Sequence, residues 1–119
     1  MSADRISFWR SVAIGFALIS VLWFVFALQQ LELINSYAYG NHPRDPEGWR
    51  GILFSPFLHG SLEHLVSNTL PMLVLLTVLL NAYPRHALIV LVFVHLVSNT
   101  MVWALAPENT VHIGISGII

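Results

Sequence analysis

The chain has 119 residues, of which 56% are apolar and 9% charged, with a formal net charge of −1. That is too little charge for a water-solvated domain of this size, and the apolar residues fall into long runs, as expected of a chain whose solvent is mostly lipid. The cationic residues are all arginine and lie scattered, which excludes the clustered positive charge that nucleic acid demands, and the absence of cysteine excludes disulfides, thiolate zinc sites and a cysteine nucleophile.

The first apolar run extends from Val12 to Leu28, and through Leu31, Leu33 and Ile34 if Gln29, Gln30 and Glu32 sit at an interface. It predicts a transmembrane helix over about 12–34. A cleaved signal peptide is the competing reading, given Arg5 and Arg10 ahead of the run, but the core is long and no convincing small-x-small cleavage site follows.

From Asn35 to Ser61 the character changes. Gly40, Pro43, Pro46, Gly48, Gly51, Pro56 and Gly60 interrupt helix repeatedly, while Tyr37, Tyr39, Trp49, Phe54 and Phe57 are interspersed. Flexible linkers are poor in aromatics, so the mixture predicts a loop folded against the headgroup region, with a merely solvated loop as the alternative.

Two further spans are predicted over about 62–80 and 87–106, the first ended by Asn81, Tyr83 and Pro84, the second by Pro107, Glu108 and Asn109. The short turn between them makes an antiparallel hairpin, which puts His64 and the Pro107 region on one side of the membrane. Arg5, Arg10 and Arg85 fall on the other side, whereas Arg44 and Arg50 share the His64 side with Glu32, Asp45, Glu47, Glu63 and Glu108. The arginine bias therefore predicts a cytoplasmic N-terminus.

A fourth apolar segment begins near Ile113 and reaches only Ile119, roughly 10 Å of helix against a hydrocarbon core of about 30 Å. A helix ending at that depth would leave carbonyls unsatisfied in lipid, so the sequence is expected to be the N-terminal part of a longer bundle.

Three features carry candidate chemistry. His64 and Asn68 are four residues apart and share a helix face within the second span, where polar groups either mark function or join helices by hydrogen bonds. Pro71 removes the bond to the Ser67 carbonyl, which predicts a bend below the pair. Gly114-Ile115-Ser116-Gly117 opens the fourth segment on the same side. Gly114 removes bulk beside Ser116, Gly117 permits close helix packing, and free N–H groups at a helix start can stabilise an oxyanion. Small residues with serine also occur at plain membrane-helix contacts, and the spacing is not that of the G-x-S-x-G elbow of α/β-hydrolases.

Taken in order, Trp49-Arg50, His59, His64 with Asn68 as H-x-x-x-N, and then GxSG resemble the rhomboid family of intramembrane serine proteases. The stretches HLVSNTLPMLVL and VHIGISG are especially similar to compact bacterial rhomboids, and the resemblance covers most of the chain from Trp49 onward. It implies an all-α, polytopic transmembrane helical bundle, a single domain over 1–119 reaching the start of a fourth helix, in a multi-pass protein of the bacterial plasma membrane. It implies that Ser116 is the nucleophile and that His64, Asn68 and the serine's own N–H stabilise the oxyanion. Gly114, Gly117, Trp49, Arg50 and His59 support the motif, the Trp49-Arg50 loop lies partly in the bilayer, and no metal or other cofactor takes part. The implied partners are transmembrane protein substrates and the lipid bilayer, with no nucleic acid.

The family's second catalytic residue is a histidine on a helix near the C-terminal end of the bundle, past Ile119. The expectation is therefore that the complete protein carries this base and that the chain alone is inactive, because a serine hydroxyl without a base is a poor nucleophile. The alternative is a catalytically inactive rhomboid-like protein that binds transmembrane helices. A third reading makes His64 and His95 haem or metal ligands, against which stand their different depths and the lack of a carboxylate partner. The six residues from His95 to Thr100 repeat those from His64 to Thr69, yet on a helix running the opposite way. His95 and Asn99 are thus read as packing or hydrogen-bonding partners.

Overall fold

A computed structural model describes residues 7–114. Three helices are long and apolar enough to cross a membrane: α1 (Phe8–Gln30), α4 (Leu62–Ala82) and α5 (Ala87–Leu105). Between α1 and α4 lie two short helices, α2 (Ser36–Tyr39) and α3 (Trp49–Phe54), the second running into a 3-10 turn, Ser55–Phe57. Among the described residues there is no strand, only one antiparallel bridge between Asn41 and His112.

The first span is displaced by one turn from its predicted bounds, and both ends have local causes. Ser7 caps α1 by accepting from the Arg10 N–H at 3.2 Å, which starts the helix ahead of Val12. At the other end Glu32 adopts a left-handed backbone, φ 59°, and Leu31 to Ile34 leave the helix as a turn. Gln29 is committed to tertiary bonds. Its Nε2 donates to Ser36 Oγ at 2.7 Å and to the His59 carbonyl at 3.0 Å, and its Oε1 accepts from the His59 N–H at 3.2 Å. The second and third spans differ from prediction by one or two residues. Ser61 caps α4 through the His64 N–H at 3.1 Å, and Pro71 lies inside the helix.

The protein's core is small and joins α1 to α4: Ile19, Leu22 and Phe26 meet Leu65, Met72 and Leu76. Gly15 allows the close approach, since a Cβ there would stand 3.0 Å from Leu73 Cδ1, and Trp23 Nε1 donates to Thr69 Oγ1 at 3.0 Å. Outside this seam the helices expose large apolar side chains, among them Phe24, Leu70, Leu88 and Phe93, and the most apolar stretch of α5 has nothing buried inside the protein. Surface of that kind is stable against lipid tails, not water, so the molecule is a multi-pass membrane protein. An apolar cavity of about 460 Å³ separates α1, α4 and α5 beneath the 3-10 turn, bordered by Ile19, Leu53, Met72, Leu91 and His95.

The segment between α1 and α4 is folded, not merely solvated. It packs on α5 and on the chain that follows it. Arg44 donates its N–H to the Trp103 carbonyl at 2.8 Å, Trp103 Nε1 donates to the Asp45 carbonyl at 2.9 Å, and Arg44 pairs with Glu108 at 3.1 Å. Gly48 lies under the Trp103 indole and Gly51 against the backbone of Gly40 and Asn41, with no room for a Cβ at either place. The chain after α5 returns along this layer, with Asn41 and His112 exchanging both backbone bonds at 2.9 and 3.0 Å. Ile113 and Gly114 are not helical, so a fourth helix does not begin as early as 113. Residues 115–119, with the rest of that expectation, lie outside the described residues.

Candidate active site

At the N-terminal end of α4 the capping bond at Ser61 fixes the first turn, and the 3.6-residue period carries His64 and Asn68 onto one face. Asn68 is buried, and its Nδ2 has no hydrogen-bond partner among the described residues. An amide donor withdrawn from solvent without a partner is costly, and its cost is relieved by any acceptor that arrives.

His64 is half-buried, and its ring lies against Gly114. A Cβ on Gly114 would stand 2.6 Å from the His64 Cε1 and 2.9 Å from its Nε2, and Gly114 has φ +109°, a region that side chains avoid. Both the contact and the backbone conformation therefore require glycine where the GxSG sequence begins.

On the other side of His64 stands His59, with ring centroids 5.1 Å apart in an edge-to-face arrangement. His59 is 1% exposed, and neither of its ring nitrogens has a hydrogen-bond partner among the described residues. Burial, reinforced by the neighbouring His64, pushes its pKa down to about 4, so it is neutral at physiological pH. Its backbone is held at both polar atoms by Gln29.

The structure thus gathers His59, His64 and Gly114, with Asn68 one turn along the same helix face. Trp49 and Arg50 stand apart at the head of α3. The Arg50 guanidinium lies 5.8 Å from the Trp49 ring and 3.4 Å from Glu47, and Trp49 is exposed, as suits a ring at a membrane surface. Ser116 and Gly117 lie outside the described residues. His95 and Asn99 are hydrogen-bonding groups that face the loop: His95 Nε2 is 2.9 Å from the Ile52 carbonyl, and Asn99 Oδ1 accepts from Ser55 Oγ at 2.8 Å. His95 and His64 therefore serve different neighbours, and no three metal-binding side chains gather among the described residues.

Sequence reasoning missed Gln29, Asn41 and Ser55. Gln29 and Ser55 carried no periodic or motif signal, and Asn41, buried and with no partner for its Oδ1 among the described residues, looked like an ordinary loop residue. The repeat in α5 was the available clue to Ser55, since an asparagine inside a span needs a polar partner somewhere.

The model of the Rhomboid domain family matches residues 45–119, most of the chain and the stretch that holds His59, His64, Asn68 and Gly114. The chain belongs to the rhomboid family. Among the described residues, three spans without a strand make an all-α, rhomboid-like membrane bundle. An uncharacterized protein of Mycobacterium leprae is 32% identical over 114 residues, covering 85% of this chain and 45% of that protein. Uncharacterized proteins of Mycobacterium bovis and Mycobacterium tuberculosis are 29% identical over 111 residues, covering 84% of this chain and 46% of theirs. This rhomboid chain spans about half the length of the curated relatives it matches. No solved structure matches it.

Proposed function

We propose that this chain is the N-terminal part of an intramembrane serine endopeptidase, which cuts transmembrane segments of other membrane proteins by acyl transfer to Ser116. The observation that supports it most is the seating of the His64 imidazole on Gly114, two residues ahead of Ser116 in sequence, with the Asn68 amide, which has no partner for its Nδ2 among the described residues, on the same helix face.

In this reading Ser116 Oγ attacks the scissile carbonyl carbon and gives its proton to a histidine base supplied by sequence past Ile119. The carbonyl oxygen, now an oxyanion, accepts from Asn68 Nδ2, from a ring N–H of His64 and from the Ser116 N–H. These donors act on charge that develops during the reaction, in a site where little water competes. The base returns the proton to the leaving amine, and water then hydrolyses the acyl-enzyme by the same steps. Water enters from the His64 side, with the N-terminus of α1 cytoplasmic, the orientation favoured by Arg10 and Arg85 at the opposite end. The reaction requires no cofactor.

The test is turnover of a fluorogenic transmembrane peptide by the complete protein in liposomes. Ser116→Ala is expected to abolish cleavage while leaving expression and insertion intact. Unchanged turnover would remove Ser116 as nucleophile, and a wild-type protein that binds the peptide without cutting it would identify an inactive helix-binding member of the family.

A further inference from the structure

The proposed reaction uses only the first copy of the repeated hexapeptide. The second copy, in α5, is committed elsewhere. Asn99 Oδ1 accepts the hydroxyl of Ser55 at 2.8 Å, the Asn99 carbonyl accepts from Asn41 Nδ2 at 2.9 Å, and Asn99 Nδ2 closes back on the His95 carbonyl at 3.0 Å. Ser55 and Asn41 are fully buried. The hydroxyl bond is therefore shielded from water, and its loss leaves a buried polar group unpaired.

Ser55 has a second attachment through its backbone. Its carbonyl oxygen accepts from the Leu58 N–H at 3.1 Å and from the Gly114 N–H at 2.9 Å. Gly114 in turn lies against the His64 ring. Asn99, Ser55, Gly114 and His64 thus form one continuous series of contacts across α5, the 3-10 turn, the returning chain and α4. The bond at Gly114 fixes the peptide plane at the head of the GxSG sequence, where φ is +109°.

We infer that Ser55 and Asn99 are positioning residues for the proposed reaction: Asn99 holds Ser55, and the Ser55 carbonyl holds Gly114, the first residue of the GxSG sequence, against His64. The inference rests on the serine-peptidase reading above. Neither residue touches substrate; both act through the Gly114 backbone. Displacements of about 1 Å at a reacting centre lower rates by up to about a hundredfold, so loss of this support should be read in the chemical step.

The experiment uses the complete protein in liposomes, with Ser55→Ala, Ser55→Cys, Ser55→Thr and Asn99→Leu beside wild type and Ser116→Ala. Rates are taken per active serine, titrated with a fluorophosphonate. Ser55→Ala and Asn99→Leu are expected to lower kcat by about tenfold or more, with KM within about twofold of wild type. Ser55→Thr, which keeps the hydroxyl, is expected to recover most of the loss, with Ser55→Cys between Thr and Ala, so that a graded series survives if the alanine variant does not fold. A purely structural role would reduce the number of titratable serines and leave kcat per site unchanged, which would overturn the inference. Thr no better than Ala would overturn it also. Normal kcat in the Ser55 and Asn99 variants with an inactive Ser116→Ala sinks this inference alone, whereas an active Ser116→Ala sinks the proposed function and this inference with it.

Discussion

The imidazole of His64 occupies the volume that a side chain at Gly114 would need, 2.6 Å from the nearest ring atom to the Cβ position. Two segments fifty residues apart in sequence are thereby locked face to face, and the lock holds only while residue 114 is glycine. Gly114→Ala adds both a clash with the ring and a disfavoured backbone at φ +109°. The variant is expected to lose the proposed peptidase activity by at least about a hundredfold while still inserting, since the spans are untouched. Activity per inserted molecule checks this, and a variant retaining most of its turnover would contradict the contact.

Asn68→Ala should slow the chemical step more than it weakens substrate capture. Its Nδ2 is buried and has no partner among the described residues, and in the proposed reaction it acts on charge present only in the transition state. The expected loss in kcat is up to about a hundredfold with KM little changed. Altered KM with a normal kcat would make Asn68 a helix-joining residue instead.

Acid should loosen the site through His59. Its pKa is pushed down from 6.5 to about 4, so the unfolded chain binds the proton more readily than the native one between those values. Stability is complete above about pH 6.5, falls as the pH drops toward 4, and levels off below, with a total loss of about 3 kcal/mol at most. Thermal inactivation midpoints measured from pH 7.5 to 4 are expected to fall for wild type and to vary less for His59→Gln, which carries no titrating ring. Parallel curves for the two proteins would show that another group governs the acid response.

The three spans were legible because each is a run of apolar residues with a breaker at its end, and lipid solvation leaves little else for such a run to do. His64 and Asn68 were legible for the converse reason, as polar groups whose cost inside a span demands a use. What could not be read was tertiary. Gln29 clamps His59, Leu31 to Ile34 leave the helix because Glu32 turns left-handed, and Ser55 gains its place from Asn99 on a helix far along the chain. The short helix α3 was hidden by glycines that allow close approach: Gly48 under the Trp103 indole and Gly51 on the backbone of Gly40 and Asn41.

Those glycines give a contrast in stability. Gly51→Ala places a Cβ into the Gly40–Asn41 backbone, which cannot move as a side chain can, and is expected to destabilise the loop layer by about 1–3 kcal/mol. Glu108→Gln removes a charge from the exposed pair with Arg44 and is expected to change stability by less than about 1 kcal/mol. Thermal inactivation of the two variants side by side checks the ranking, and equal midpoints would show that the loop does not bear on the stability of the bundle.

Expressed alone, residues 1–119 are expected to insert and to remain catalytically silent, because the proposed base lies past Ile119. Co-expression with a C-terminal partner segment is expected to restore cleavage, since inserted helices associate by packing and not by chain continuity. Strong cleavage by the isolated chain would instead make a histidine within it the base, with His64 the first candidate for its place beside Gly114.

The most direct measurement is the site of covalent capture. The complete protein, reconstituted in liposomes, is treated with a peptidyl phosphonate that mimics the tetrahedral intermediate, and the adduct is located by mass spectrometry of the digested chain. A single stoichiometric adduct on Ser116, slowed by Asn68→Ala and by Gly114→Ala, is the predicted result; an adduct on another residue, or none in a protein that cleaves its substrate, would contradict it.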